Sequence, residues 1–129
     1  MILAIDPGKN KCGLAVLEPN GRLIEKKVVA HPQCPGEIYK LIAKYKITRV
    51  VVGDSAAGKE LEKEVSAILL KGEIVFIPEK DSSREARDRY WKENPPSGLW
   101  KLVPTSLRVP PSPIDDYAAL ILGERYLNR

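Results

Sequence analysis

Cysteine, histidine and long apolar runs are scarce in this chain of 129 residues. The two cysteines, Cys12 and Cys34, show no CxxC spacing, so we expect no disulfide framework. His31 is the single histidine; it stands in a predicted loop with no partner that marks it as a metal ligand. No apolar run approaches the ~20 residues that cross a bilayer. We therefore expect a cytoplasmic protein with neither a membrane span nor a signal peptide.

The bulk composition is that of a globular protein, with 43% hydrophobic and 29% charged residues. A chain of this length buries one core, so we expect a single domain over residues 1–129. The net charge of +4 and the pI of about 9.1 favour a polyanionic partner. The excess of basic residues is modest, so charge alone does not assign nucleic-acid binding.

Apolar periodicity predicts the order β-β-β-α-β-α-β, followed by two more helices. The predicted strands are approximately Ile2–Ile5, Cys12–Leu17, Leu23–Val29, Arg49–Gly53 and Ile74–Ile77. The first three strands are joined by turns and form an antiparallel meander. Helices of crossover length precede the last two, so those two strands should run parallel to the first. The chain is thus predicted to form an α/β fold with a mixed sheet.

Two helices and a long loop follow the last predicted strand. Ser82-Ser83-Arg84-Glu85 has the pattern of a capping box that opens a helix reaching about Trp91. The final helix covers about Ile114–Leu127. Between them, residues 93–113 hold six of the eleven prolines, and a loop this long is either functional or mobile. Trp91, Trp100 and Tyr117 could stack on unpaired bases, although packing against the core is the commoner use of such rings.

Acidic side chains stand at the ends of these predicted elements. Asp6, Asp54 and Glu79 each follow a strand of the parallel set, and ligand sites lie at that edge of an open sheet. The Asp115-Asp116 pair opens the last helix, where acids also suit the helix dipole. Convergent carboxylates can hold Mg²⁺ ions that promote phosphodiester hydrolysis. The sequence indicates such a site without measuring whether the acids converge.

Three segments together resemble one protein family. Ile2–Gly8 with Gly13–Val16 is similar to the opening of the RuvC Holliday junction resolvases and of the related YqgF (RuvX) nucleases, both in the RNase H-like superfamily. Glu79–Ala86 resembles the YqgF segment whose usual form is Glu-Arg-Leu-Thr-Thr-x-Glu-Ala. Asp115–Leu122 is similar to that family's last helix, which begins with its third acid. The resemblance covers nearly the whole chain in the right order.

The resemblance implies an RNase H-like fold with strand order 3-2-1-4-5, strand 2 antiparallel, and helices on both faces. It implies a nuclease that depends on Mg²⁺ or Mn²⁺, with Asp6, Glu79 and Asp115 as the catalytic, metal-binding triad. Asp116 could replace or assist Asp115, because adjacent helical residues point about 100° apart. Asp54 is a further metal-ligand candidate, because RuvC-type resolvases carry an acid after that strand. The substrate is branched DNA, single-stranded DNA or precursor ribosomal RNA, and a homodimer is left open.

The basic residues near these acids form a candidate phosphate-binding rim. Its members are Lys9, Lys11, Lys80, Arg84 and Arg87. For each of them a plain solvent-exposed position is the alternative interpretation. Lys80 stands where the YqgF pattern has Arg, which removes a planar bidentate contact to phosphate. Asp81 takes a place that is usually apolar, and the proline-rich segment matches no part of the family pattern.

Three other functions compete with the nuclease. Gly53–Lys59 matches the GxxxxGK pattern of a P-loop, but Glu60 follows where a Ser or Thr is needed to hold Mg²⁺. The segment is better explained as a strand-to-helix turn. The actin-like and sugar-kinase superfamily shares the opening hairpin pattern, but those enzymes bind ATP between two domains, and 129 residues supply only one. The third alternative is a non-catalytic RNase H-like module that binds nucleic acid or protein; retention of all the acids argues against it.

Overall fold

The chain alternates strands and helices in the predicted order. The computed structural model describes residues 1–69, 72–104 and 107–129. The strands are β1 (Ile2–Asp6), β2 (Lys11–Leu17), β3 (Leu23–Ala30), β4 (Arg49–Gly53) and β5 (Glu73–Ile77). The helices are α1 (Cys34–Tyr45), α2 (Ala56–Ile68), α3 (Ser82–Glu93) and α4 (Asp115–Leu127), with short 3-10 turns at His31–Gln33 and Gly98–Leu102. Within the described residues, no helix is both long enough and apolar enough to span a bilayer.

The five strands form one mixed sheet in the order β3-β2-β1-β4-β5, which confirms the predicted topology. The central strand β1 pairs antiparallel with β2 and parallel with β4, and β4 pairs parallel with β5. Strand β2 in turn pairs antiparallel with β3. Because β1, β4 and β5 run in the same direction, their carboxyl ends share one edge of the sheet. The chain segments that leave this edge carry Asp6, Asp54 and Glu79.

Both faces of the sheet are buried under helices. Successive side chains of a strand point to opposite sides, so each strand contributes to both cores. Leu3 and Ile5 of β1 face a core closed by α1 and α2. Ile2 and Ala4 face a second core, closed by α4. The helix α3 lies outside α4 and packs against it, with Ala86 and Tyr90 in contact with residues of α4. Helices therefore cover both faces, as predicted.

Small residues let α4 lie close to the sheet. A Cβ atom at Gly123 would come within 2.8 Å of Leu17 Cδ1 and 3.2 Å of Ala4 Cβ, which is too close for ordinary packing. Leu122 and Ala119, on the same side of the helix, are fully buried. This close approach fixes α4 against β1 and β2, so the first turn of the helix is held beside the carboxyl end of β1.

The start of α3 differs from the sequence prediction. The residue that precedes it is Asp81, which has a left-handed backbone (φ 63°), and no side chain caps the helix. The predicted capping box is therefore wrong: Glu85 of α3 bonds to Arg125 of α4 instead of returning to the helix start. A tertiary ion pair has replaced the local hydrogen bond that the sequence pattern favours.

The cysteines also depart from expectation. Cys12 of β2 and Cys34, the first residue of α1, form a disulfide with a Cα–Cα separation of 6.8 Å. Both residues are almost completely buried in the core beneath α1. Their separation of 22 residues gave no recognisable spacing, and only the packing of α1 on β2 brings them together.

Candidate active site

Asp6 ends the central strand and is the centre of the acidic edge. Its backbone pairs with Gly13 of β2, and its side chain is partly buried. Burial, together with the smaller effect of the charges of Glu79 and Asp115, raises the pKa of this carboxyl group from its ordinary value of 3.8 to about 7. The structure thus brings three of the sequence-predicted acids, from three separate elements, within electrostatic reach of each other.

Asp115 reaches Asp6 because α4 begins directly against β2. A Cβ atom on Gly13 would overlap the main-chain carbonyl of Asp115, so only glycine allows this contact. Gly13 is also the register partner of Asp6. The side chain of Asp115 lies 3.9 Å from Lys11 Nζ, a long ion pair between partly exposed groups. The absence of a side chain at Gly13 therefore positions the third acid.

Asp116 has a different environment from its neighbour. Its Oδ2 accepts a hydrogen bond from Lys26 Nζ of β3 at 2.8 Å, and its Oδ1 accepts one from the Tyr117 amide at 2.9 Å. The same Lys26 Nζ lies 3.9 Å from the centre of the Tyr117 ring. One carboxylate oxygen of Asp116 is thus engaged by Lys26 of β3 and the other by an amide of its own helix, whereas it is the charge of Asp115 that acts on Asp6. The sequence analysis missed Lys26, which has no local pattern that pairs it with a residue 90 positions away.

Glu79 follows β5 and folds back over the end of β4. A Cβ atom on Gly53 would overlap Glu79 Oε1, so the carboxylate occupies the space that a larger residue would fill. This oxygen is buried, and among the described residues no donor reaches it. Burial raises the pKa of Glu79, and the charge of Asp54 adds to the effect. A buried carboxylate oxygen without a donor is costly, and a cation can compensate that cost.

Asp54 is the exposed member of the acidic edge, whereas Asp6, Glu79, Asp115 and Asp116 are partly buried. It follows β4, its side chain is exposed, and its amide donates to the Ile77 carbonyl at 2.8 Å. Its charge acts on Glu79, whereas the charges that raise the pKa of Asp6 are those of Glu79 and Asp115. In residues 1–69, 72–104 and 107–129, no three acidic, histidine or cysteine side chains are already grouped closely enough to hold a metal ion.

Arg125 of α4 holds the loop that carries Glu79. Its guanidinium group donates to the carbonyl of Pro78 at 2.8 Å and to that of Lys80 at 2.7 Å, and it also bonds to the Glu85 carboxylate. These carbonyls flank Glu79 on both sides. The sequence analysis missed Arg125, because an arginine in the last turn of a helix is already explained by the helix dipole. The same helix therefore positions one acid at its start and braces another near its end.

The predicted basic residues surround this edge unevenly. Lys9 and Lys80 are exposed on the loops that follow Asp6 and Glu79, and Lys11 is exposed at the start of β2. Arg84 is exposed at the start of α3 and lies 3.7 Å from Asp81, whereas Arg87 is partly buried one turn further on. Of the five cations, Lys11 is within 4 Å of one of these acids, Asp115. Tyr117 packs against Tyr90 between α3 and α4, Trp91 lies edge-on to Tyr90, and the side chain of Trp100 lies outside what the structure describes.

The P-loop-like segment forms the predicted strand-to-helix turn. Ser55 caps α2 by accepting a hydrogen bond from the Gly58 amide at 3.1 Å. A Cβ atom at Gly58 would overlap the Gly53 carbonyl and come within 3.3 Å of Pro7 Cγ. The glycines therefore serve the packing of α2 against the ends of β1 and β4.

Strand order, helix placement and an acidic residue at the end of the central strand define an RNase H-like fold. Residues 1–84 match the family model of the Tex protein YqgF-like domain. Because this match covers more than half of the 129 residues, the chain belongs to that family. The match ends before the proline-rich segment and α4. A search of curated proteins returned no match.

Solved structures show the same fold over a longer part of the chain. A Thermus thermophilus RuvC in complex with a Holliday junction substrate superimposes with a TM-score of 0.58 at 15% identity, covering 94% of this chain and 88% of that protein. A second structure of RuvC from Thermus thermophilus gives a TM-score of 0.56 at 14% identity, with the same coverage. At such low identity the likeness establishes the fold alone.

Proposed function

We propose that the chain, over residues 1–129, is a divalent-metal-dependent nuclease that hydrolyses phosphodiester bonds in nucleic acid. The observation that carries this proposal is the meeting of three carboxylates at one edge of the sheet: the start of α4 with Asp115 lies against Gly13, the register partner of Asp6, and the buried Glu79 Oε1 has no donor among the described residues. The charges of Glu79 and Asp115 add to burial in raising the pKa of Asp6. Such a mutually repelling set of carboxylates is unfavourable by itself and favourable around a cation. Membership in the YqgF-like family and the RuvC-like fold support the same activity.

The residues present fit Mg²⁺ or Mn²⁺, whose preferred ligands include carboxylate oxygens. Asp6, Glu79 and Asp115 would hold the ions, and the buried Glu79 Oε1, which has no donor among the described residues, is a ready ligand atom. Asp54 lies within electrostatic reach of Glu79 and would supplement the set. Asp116 is a weaker candidate because Lys26 and the Tyr117 amide occupy its oxygens. When bound, such ions activate a water and stabilise the leaving oxygen.

The other residues of this edge would bind and orient the substrate. Exposed Lys9, Lys11 and Lys80 provide positive charge on either side of the acids, suited to the phosphates that flank a scissile bond. Arg125 would keep Glu79 in place through the carbonyls on either side of it. The substrate class extends to branched DNA, single-stranded DNA and structured precursor RNA, because a rim of lysines recognises phosphate rather than base.

Cleavage of end-labelled nucleic acids tests this proposal. The substrates are a four-way DNA junction, a single strand and a structured precursor RNA, each with Mn²⁺, Mg²⁺ or chelator. We expect metal-dependent cleavage that falls by at least about 100-fold in Asp6→Asn, Glu79→Gln and Asp115→Asn. Glu64→Gln on the exposed side of α2 changes the net charge equally and should retain activity. Cleavage that persists in all three acid variants would contradict the proposal.

One observation favours a second function, that of a non-catalytic module that binds nucleic acid or protein. Within the described residues, no three acids are grouped closely enough to hold an ion without side-chain movement. A binding module predicts metal-independent affinity for nucleic acid without cleavage, and an Asp6→Asn variant that binds as tightly as the wild type. The same substrates, measured for binding in chelator and for cleavage in Mn²⁺, separate the two functions.

A further inference from the structure

A cavity of about 470 Å³ lies between the end of α3 and the proline-rich segment. Its walls include Tyr90, Trp91 and Asn94 on the side of the helix and Val109, Pro110 and Pro111 on the side of the segment. The volume is within the range of sites that enclose small ligands. Flat rings and prolines make the walls largely apolar, so they suit a planar guest.

The aromatic side chains at this cavity are held in a fixed arrangement. The Tyr90 ring packs edge-on against Trp91, with centroids 5.0 Å apart, and edge-on against Tyr117, with centroids 5.6 Å apart. Asn94 Nδ2 donates to the Tyr117 hydroxyl at 3.2 Å. These contacts fix the orientation of the Tyr90 and Trp91 rings before any guest binds. Preorganised aromatic platforms of this kind bind nucleobases regardless of sequence.

The charges around the cavity favour an anionic guest. Residues 91–113 contain three cations, Lys92, Lys101 and Arg108, and one acid, Glu93, which pairs with Arg89 at 3.7 Å. The Arg108 guanidinium lies 5.8 Å from the Trp91 ring, and the two line a shallow adjoining depression together with Lys92 and Asp88. A cation beside an aromatic platform matches a base joined to its phosphate. A neutral proline-rich peptide would gain no electrostatic attraction from this excess of positive charge.

One polar atom of the platform is unsatisfied. The Trp91 indole Nε1 is buried, and across the described residues no acceptor reaches it. A guest with ring carbonyl or phosphate oxygens brings such an acceptor, once the segment shifts enough to admit it.

The first turn of α4 links the cavity to the acidic edge along the chain. Pro111, in the wall of the cavity, precedes Asp115 by four residues. Tyr117, which contacts both Tyr90 and Asn94, follows Asp115 by two residues. The first turn of α4 thus contributes an acid to one site and an aromatic support to the other. We propose that this cavity binds one unpaired nucleobase of the nucleic acid whose backbone lies at the acids, with Trp91 as the stacking surface and Arg108 facing its phosphate. This inference rests on the proposed function, because it concerns the same substrate.

Tryptophan fluorescence tests the inference, because the chain contains two tryptophans and Trp100→Phe leaves Trp91 as the only reporter. The probes are a short oligothymidylate and an abasic oligomer of the same length, titrated in chelator so that no cleavage occurs. We expect the oligothymidylate to quench Trp91 and to bind about tenfold more tightly than the abasic oligomer. In an anisotropy titration of the otherwise native chain, Trp91→Ala should bind the oligothymidylate about tenfold more weakly than the wild type. Trp91→Phe keeps a stacking ring and should retain most of the wild-type affinity for the oligothymidylate.

Equal affinity for both oligomers, or an unchanged affinity in a Trp91→Ala variant that melts like the wild type, would overturn the inference. Quenching by a polyproline peptide but not by the oligothymidylate would also overturn it. Because binding is measured without metal, the result is independent of catalysis. Base-dependent quenching in a protein that cleaves none of the substrates would support the nucleobase site and refute the nuclease activity. Cleavage without base-dependent quenching would support the nuclease activity and refute the nucleobase site.

Discussion

Replacing Asp6 with asparagine should stabilise the metal-free protein at neutral pH. The folded-state pKa of Asp6 is raised from 3.8 to about 7, so the folded chain holds this proton more tightly than the unfolded chain does. The stability that comes from this proton is fully present below about pH 4 and is lost as the pH rises through about 7. At about 1.4 kcal/mol per pH unit, the loss is at most about 4 kcal/mol. Water reaches part of the carboxylate, so we expect about 2 to 4 kcal/mol.

Thermal unfolding in chelator, measured from pH 4 to pH 8 for the wild type and Asp6→Asn, checks this magnitude. The two proteins should melt together near pH 4, and the variant should melt roughly 10 °C higher at pH 8. Glu64→Gln removes one negative charge from an exposed position. Its difference in melting temperature from the wild type should stay the same from pH 4 to pH 8. A constant gap between wild type and Asp6→Asn across this range would refute the reasoning, because it would mean that Asp6 keeps an ordinary pKa.

Three further predictions concern the supports of the acidic edge. Arg125→Gln releases the loop of Glu79; it should lower cleavage about tenfold with little loss of binding, and Arg125→Lys should recover part of that activity. Gly13→Ala pushes α4 away from β2; it should destabilise the fold by about 1 to 3 kcal/mol and abolish cleavage, because Asp115 moves. Reducing the disulfide, which joins residues 22 apart, should cost about 3 kcal/mol in thermal or denaturant unfolding.

Each of these predictions has an outcome that contradicts it. If Arg125→Gln weakens binding and cleavage equally, or Arg125→Lys recovers nothing, the residue acts on the fold as a whole rather than on Glu79. Wild-type activity in Gly13→Ala would show that the close contact with α4 is dispensable. An unchanged melting temperature of the wild type on reduction would contradict the third prediction, and a variant with serine in place of both Cys12 and Cys34 is its control, since that variant should not respond to the reductant.

The strand order could be predicted because the local signals agreed with one another. Short β-branched runs such as Arg49–Gly53 are typical of strands buried on both faces, and helices of crossover length fix their parallel direction. The start of α3 could not be predicted in the same way. Its pattern suggested a local cap, but the partner of Glu85 is Arg125, 40 residues further on, and that pairing exists only after α3 packs on α4.

The candidate site was predictable at the level of residue type and strand end. Asp6, Asp54 and Glu79 follow parallel strands, so their common edge follows from topology. The distinction between Asp115 and Asp116 required the position of β3, because Lys26 engages the second of them. The Cys12–Cys34 bond likewise depends on where α1 lands on the sheet. Contacts between residues distant in sequence carry no periodic signal, so the Lys26–Asp116 and Cys12–Cys34 contacts could not be predicted from the sequence.

The central claim is that Asp6, Glu79 and Asp115 together bind a divalent cation, and a calorimetric titration with Mn²⁺ tests it most directly. The wild type and Glu64→Gln should bind the ion alike, whereas Asp6→Asn and Glu79→Gln should each bind it at least about tenfold more weakly. Equal Mn²⁺ affinity in the wild type and in both acid variants would contradict the account, because the carboxylates at this edge would then have no part in holding a metal.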